Sequence, residues 1–319
     1  MHHPLVGDAL VAVSEGRVEA AKSLLDEAMA APVTPSSDNP PVLAVALARH
    51  LAAQSSTGGG EVYDSPAAFQ AFINAGGNIG LYAAVSESLA SRYDGVDFLL
   101  DIGAGDGHAL IPALRMADDP PRAVTVVEPA AEMAKTCRQN LSLLVDDGVI
   151  EYVDVVVEPI EQYLGRSPGR ERHWDCAQAT FSLHRLEPNQ RQALIGSMAS
   201  QASKLMIAEF DAPDFAGLSD RTNYLAARYE MGLAEYTEGP ERDLVADGFL
   251  IPVLLDQLNE HHQRTSWEQP IERWVDEITA TANFADVQAR QLYDYWWAPA
   301  HLVTANAILT DTDVRLSTH

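Results

Sequence analysis

Residues 98–114 read FLLDIGAGDGHALIPAL. An apolar run ends in Asp101, glycines follow at 103, 105 and 107, and apolar residues then resume at helical spacing. A strand, a glycine bend and a helix in that order put a ligand at the carboxyl end of the strand, as open parallel sheets do. Glycine at the bend admits positive φ and lets the backbone come close to whatever is bound.

The pattern extends on both sides. VDFLLDI, AVTVVEP, IEYVDVVV, WDCAQATFSL, SKLMIAEFD and HLVTANAILT are short apolar runs with strand character. HALIPALRMA and AEMAKTCRQNLSLL, between the first of them, carry helical periodicity, with Leu110, Ile111, Leu114 and Met116 expected in the core. Strands alternating with helices predict a parallel sheet covered on both faces. Before residue 96 the chain is almost wholly helical by pattern, with breaks at PVTPSSDNPP and SSTGGG. Asp64 or Ser65 is placed to cap a helix entered through Pro66. The expected organisation is a helical N-terminal cap over 1–95 and a Rossmann-like α/β core over 96–215. A helical insertion over 216–282 is expected to act as a lid, and the strands of 283–319 to complete the sheet.

Charge decides what the bend would hold. A pyrophosphate beside Asp101 and Asp106 is unfavourable in a partly buried turn, and the third glycine arrives one residue too early for G-x-G-x-x-G. S-adenosylmethionine carries no phosphate, and its ammonium and sulfonium suit carboxylates. Glu128, 27 residues after Asp101, ends the second strand, where a carboxylate can accept two hydrogen bonds from a ribose diol. The acids therefore favour S-adenosylmethionine over NAD.

With LLDIGAGDG, VTVVEP and WDCAQATFSLHRL in this order, residues 96–210 resemble a class I S-adenosylmethionine-dependent methyltransferase of the small-molecule type. The resemblance implies a seven-stranded sheet with a reversed last strand. It places Asp101, Gly103 and Gly105 along the methionine end of the cofactor, Glu128 at the ribose and Glu158 near the adenine, with Asp106 and Pro129 also in the cofactor site. Thr180, Phe181 and His184 would border the methyl group. Gly107 either belongs to that site or only lets the helix pack on the sheet. Glu158 is followed by proline where the family more often has a small residue after an Asp. Tyr63, Asn78 and Tyr82, just ahead of the first strand, are expected to fold over the cofactor, with core packing as the other reading.

Methyl transfer from a sulfonium is an in-line displacement, so positioning and a base are what an enzyme adds. His184 is the candidate base, since imidazole titrates near neutrality; a structural histidine is the alternative. Tyr229, Glu235 and Tyr236 in the insertion and Trp297 near the last strands are the substrate candidates, as acids and aromatics cage cationic amines, while core or solvated-face roles also explain them. No metal is expected: His261 and His262 are helix neighbours that point apart.

Over 319 residues, 21 Lys and Arg against 46 Asp and Glu leave a net charge of −25. Such a field repels nucleic acid and acidic membrane surfaces, which leaves a small neutral or cationic molecule as the expected partner. Two cysteines support no disulfide framework. The opening residues lack a signal-peptide pattern, and no apolar run is long enough for a bilayer span, so the cytoplasm is the expected compartment. Helical extensions in the resembled superfamily often pair subunits, which leaves a homodimer open. A nucleotide-cofactor oxidoreductase and a non-catalytic S-adenosylmethionine-binding protein are the competing functions.

Overall fold

The computed structural model describes residues 4–31, 41–54, 65–166, 172–258, 266–281 and 283–308. The chain divides into two compact units. One comprises Met1–Ile79, Asp214–Thr265 and Tyr295–Trp297; the other comprises Gly80–Pro213, Ser266–Asp294 and Ala298–His319.

The second unit holds a seven-stranded sheet. Its strands are β1 (Phe98–Ile102), β2 (Ala123–Val127), β3 (Tyr152–Val156), β4 (Trp174–Thr180), β5 (Ala202–Phe210), β6 (Phe284–Tyr293) and β7 (Ala300–Ala307), in the order β3-β2-β1-β4-β5-β7-β6. β1 to β5 run parallel, and β7 is antiparallel to both β5 and β6. The seven strands and the reversed last one follow the expectation. The central strands are nearly continuous in Leu, Val, Ile and Ala because helices cover both faces of a parallel sheet.

The helices of both units, in chain order, are α1 (Pro4–Ser14), α2 (Val18–Ala30), α3 (Val42–Gln54), α4 (Pro66–Ile73), α5 (Gly77–Ala90), α6 (Leu110–Met116), α7 (Ala131–Asp146), α8 (Ile160–Leu164), α9 (Pro188–Gln201), α10 (Leu218–Ala234), α11 (Pro240–Val245), α12 (Ile251–Leu258) and α13 (Ile271–Thr279). α9 starts where Pro188 occupies the first turn and the Gln190 side chain accepts from the Glu187 N–H at 3.3 Å. α13 belongs to the sheet-bearing unit and buries Trp274 and Ile278 in the same core as Trp174, Ile195 and Val303. Each such side chain contributes about 1.5–3 kcal/mol on leaving water. α6 corrects one expectation. Leu110 and Leu114 are buried, but Met116 is 49% exposed, because six residues at 100° each carry it to another face of the helix.

The other unit is helical in its regular structure, from α1–α4, the start of α5 and α10–α12. Its core gathers Leu10, Leu25, Leu43, Leu47, Leu225, Leu233 and Leu254. α4 is capped as expected at Ser65, whose Oγ accepts from the Ala68 N–H at 3.3 Å. No helix among the described residues is long and apolar enough to cross a membrane.

Candidate functional site

Strand register builds the site. In the pairing of β1 with β4, Asp101 lies opposite Gln178. The Gln178 amide donates to Asp101 Oδ2 at 2.6 Å and accepts from the Tyr93 hydroxyl at 2.9 Å. Asp101 is 1% exposed, and its Oδ1 has no hydrogen-bond partner among the described residues. Burial raises the Asp101 carboxyl to about 7, with the Gln178 hydrogen bond opposing and the Glu128 charge adding to the rise. A buried acceptor left without a donor is costly, so this oxygen marks a place for a donor that the described residues do not supply.

Directly after β1, Gly103, Gly105 and Gly107 all adopt positive φ, at 72°, 59° and 88°. A Cβ on Gly103 would stand 2.6 Å from the Ser182 Cβ, whereas one on Gly105 would meet nothing within 4 Å. One glycine is needed for close packing, and the other faces open space. At Gly107 a Cβ would strike Ile111 Cδ1 at 2.5 Å, which favours the helix-packing reading of that residue. The Gly105 N–H donates to Glu128 Oε2 at 2.9 Å, and the Ala130 N–H donates to Glu128 Oε1 at 2.8 Å. Glu128 at the tip of β2 is thereby locked to the bend, while each oxygen keeps a further lone pair. Asp106 Oδ1 accepts from the His108 N–H at 3.1 Å, and Pro129 lies exposed beside Glu128. Glu158 follows β3 and pairs with Arg166.

The ends of β4 and β5 supply a second group. Phe181 takes φ 50°, a strained value for a non-glycine residue, and stacks on Phe210 with centroids 4.4 Å apart and planes 10° apart. Tyr82 meets Phe181 edge-on at 5.9 Å and His108 edge-on at 4.7 Å. Thr180 Oγ1 is buried without a partner among the described residues. Ser182 Oγ donates to the Ile102 carbonyl at 2.7 Å, tying this loop to β1. Beyond it, Glu209, 1% exposed, receives the His184 backbone N–H at 3.1 Å and faces His184 Nδ1 at 2.9 Å. Burial works against the imidazolium, but the Glu209 charge and hydrogen bond outweigh it, so His184 titrates above its ordinary value. A carboxylate on Nδ1 fixes the Nδ1–H tautomer and leaves Nε2 with its lone pair.

Asp101, the glycines, Asp106 and Glu128 thus form one group at the strand ends, and Thr180, Phe181, Tyr82 and His184 lie in the same unit. The remaining described candidates belong to the other unit. Asn78 is buried, donating to the Phe72 carbonyl and accepting from the Tyr295 hydroxyl, both at 2.8 Å, so its amide clasps the helical unit. In that unit Tyr229 donates to Gln257 at 2.9 Å, Tyr236 donates to the Phe72 carbonyl at 3.1 Å, and Glu235 accepts from the Gly77 N–H at 2.8 Å. Trp297 packs edge-on against Tyr224 and Tyr229. Their side chains are engaged in holding this unit together. Tyr63, His261 and His262 lie outside the described residues. Among those described, no group of three or more His, Cys, Asp or Glu side chains is placed to hold a metal ion. Sequence reasoning missed Gln178, Tyr93 and Glu209; a polar residue interrupting an apolar strand is the signal that marks Gln178 and Glu209.

No family model matches the chain, and none of the curated proteins does. Solved structures do. The S-adenosylmethionine-dependent methyltransferase SibL in its apo form aligns with a TM-score of 0.50 and 14% identity, over 94% of this chain and 77% of that one. The mitomycin 7-O-methyltransferase MmcR aligns with a TM-score of 0.48 and 13% identity, over 95% and 94%. Magnesium protoporphyrin IX methyltransferase from Synechocystis PCC 6803, solved with bound S-adenosylhomocysteine, gives 0.46 and 14%, over 82% and 94%. At these identities the likeness is one of fold. Sheet order and the SibL alignment together define the class I S-adenosylmethionine-dependent methyltransferase fold.

Proposed function

We propose that this chain transfers a methyl group from S-adenosylmethionine to N, O or an acidic C of a small molecule. The observation that carries the reading is Asp101, fully buried at the foot of the glycine bend with one oxygen that has no partner among the described residues. An ammonium supplies the missing donor and the opposite charge, and a pyrophosphate supplies neither. The residues present fit the cofactor in kind: Asp101 for its amino group, the open face of Gly105 for close approach, and Glu128 for the ribose hydroxyls. Bound there, the cofactor contributes an electrophilic methyl on a sulfonium.

The chain's own residues do the rest. Glu209 holds the His184 ring and raises its basicity, and Nε2 is free to take the proton of a neutral nucleophile as its bond to the methyl carbon forms. Phe181, Phe210 and Tyr82 form an aromatic wall beside the strand ends that limits water.

Incubation with methyl-tritiated cofactor and a panel of phenols, amines and β-dicarbonyl compounds tests it. The expected result is label in an organic-soluble product, with S-adenosylhomocysteine formed in equal amount. His184→Ala is expected to lower turnover about 100- to 10,000-fold with cofactor affinity retained. Cofactor binding without turnover on any acceptor class would instead favour a non-catalytic binding protein.

A further inference from the structure

Arg191 stands in the first turn of α9, 1% exposed, and the chemistry above does not use it. Its guanidinium lies over the Trp274 ring, 4.4 Å from the centroid. Nε donates to Glu277 Oε2 at 2.9 Å, Nη1 to the Trp267 carbonyl at 3.3 Å and Nη2 to Gln269 Oε1 at 3.1 Å. Gln269 in turn donates to the same Glu277 oxygen at 2.9 Å. Arg191 and Glu277 thus grip the 266–271 segment from α9 and α13.

The other edge of that segment touches the site. The Trp267 N–H donates to the His184 carbonyl at 2.7 Å. Gln269 forms a parallel bridge with Asp211, and the Ile271 N–H donates to Asp211 Oδ1 at 2.9 Å. Asp211 is two residues beyond Glu209. One short strap therefore holds both backbones that carry the histidine and its carboxylate. Stability alone is a weak reason for such an arrangement, because well-packed apolar side chains replace buried ion pairs at little or no loss. A planar fork with five donors does offer fixed geometry, which neither an apolar side chain nor lysine supplies.

We propose that Arg191 is a positioning residue, which through the 266–271 strap fixes His184 against Glu209. The catalytic consequence rests on the methyl-transfer reading; the geometric one does not. The charged groups acting on His184 are Glu209, Glu268 on the strap itself, and Arg185. If the strap loosens, burial and the hold of both acids relax together, and because the acids outweigh burial the net change carries His184 back down toward its ordinary value.

The test is an NMR titration of the His184 ring in the full chain, assigned with His184→Gln, for wild type, Arg191→Lys and Gln269→Ala. Arg191→Lys keeps the charge and loses the fork, while Gln269→Ala removes the side chain that binds Arg191 and Glu277 and leaves Arg191 in place. Both midpoints are expected to fall toward the ordinary imidazole value of about 6.5. Turnover is expected to drop about tenfold or more through misplacement of the base, with cofactor affinity within twofold of wild type. Midpoints unchanged or raised in folded variants overturn the proposal, and if Arg191→Lys does not fold, Gln269→Ala decides alone. Failure of wild type to methylate any acceptor refutes the functional reading only, since the midpoints still decide the strap.

Discussion

A carboxyl group in water loses its proton near pH 4, and Asp101 is held from doing so by burial. Because the folded value of about 7 lies above the ordinary 3.8, the native state favours the proton. Its contribution to stability is full below the ordinary value and is lost as pH rises through 7. Asp101→Asn is therefore expected to raise the melting temperature of the ligand-free protein at pH 8, on the order of 5 °C, and to change it little at pH 5. Differential scanning fluorimetry at the two pH values checks this. His184 carries the opposite charge logic: its acid–base limb should lie above the ordinary imidazole value because Glu209 favours the imidazolium. Glu209→Gln keeps the shape and removes the charge, so the acidic limb of the kcat profile is expected to move to lower pH. A limb that stays in place would show that another group sets it.

At the scale of elements, the bend between β1 and α6 carries two different requirements. Gly103→Ala meets both a positive φ and the Ser182 Cβ at 2.6 Å, and is expected to lose about 1–3 kcal/mol of stability together with cofactor binding. Gly105→Ala shares only the backbone strain, since nothing lies within 4 Å of its Cβ. It should cost about 1 kcal/mol in stability and weaken cofactor binding at least tenfold, because the methyl enters the space the ligand needs. Chemical denaturation and equilibrium dialysis on the two variants give the comparison. This bend was legible in the sequence, since glycine spacing and flanking acids are local signals. So were the strands around it, whose apolar runs are bounded by turn residues. The partners of Gln178 and Arg191 were not. Gln178 meets Asp101 across 77 residues, and Arg191 meets Gln269 across 78. Pairings at that range follow from strand register and helix packing, which periodicity does not encode. Met116 departs from the core expectation because its angle around this short helix turns it off the buried face.

For the whole molecule, a net charge of −25 sets a field that attracts cations and repels phosphates. Within the sheet-bearing unit the same preference is concentrated where Asp101 and Glu128 stand at the strand ends. Both scales favour the same ligand chemistry, a nucleoside with positive charge and no phosphate. Binding that requires an ionised Asp101 must expel its proton below pH 7, so the ammonium and the proton compete for one buried oxygen. The most direct measurement is calorimetric titration with S-adenosylhomocysteine at pH 6 and pH 8, in buffers of different ionisation enthalpy. One site per chain is expected, with release of close to one proton at pH 6 and almost none at pH 8, and loss of the release in Asp101→Asn. Absence of any heat in the folded protein, with NADH binding in its place, would contradict it.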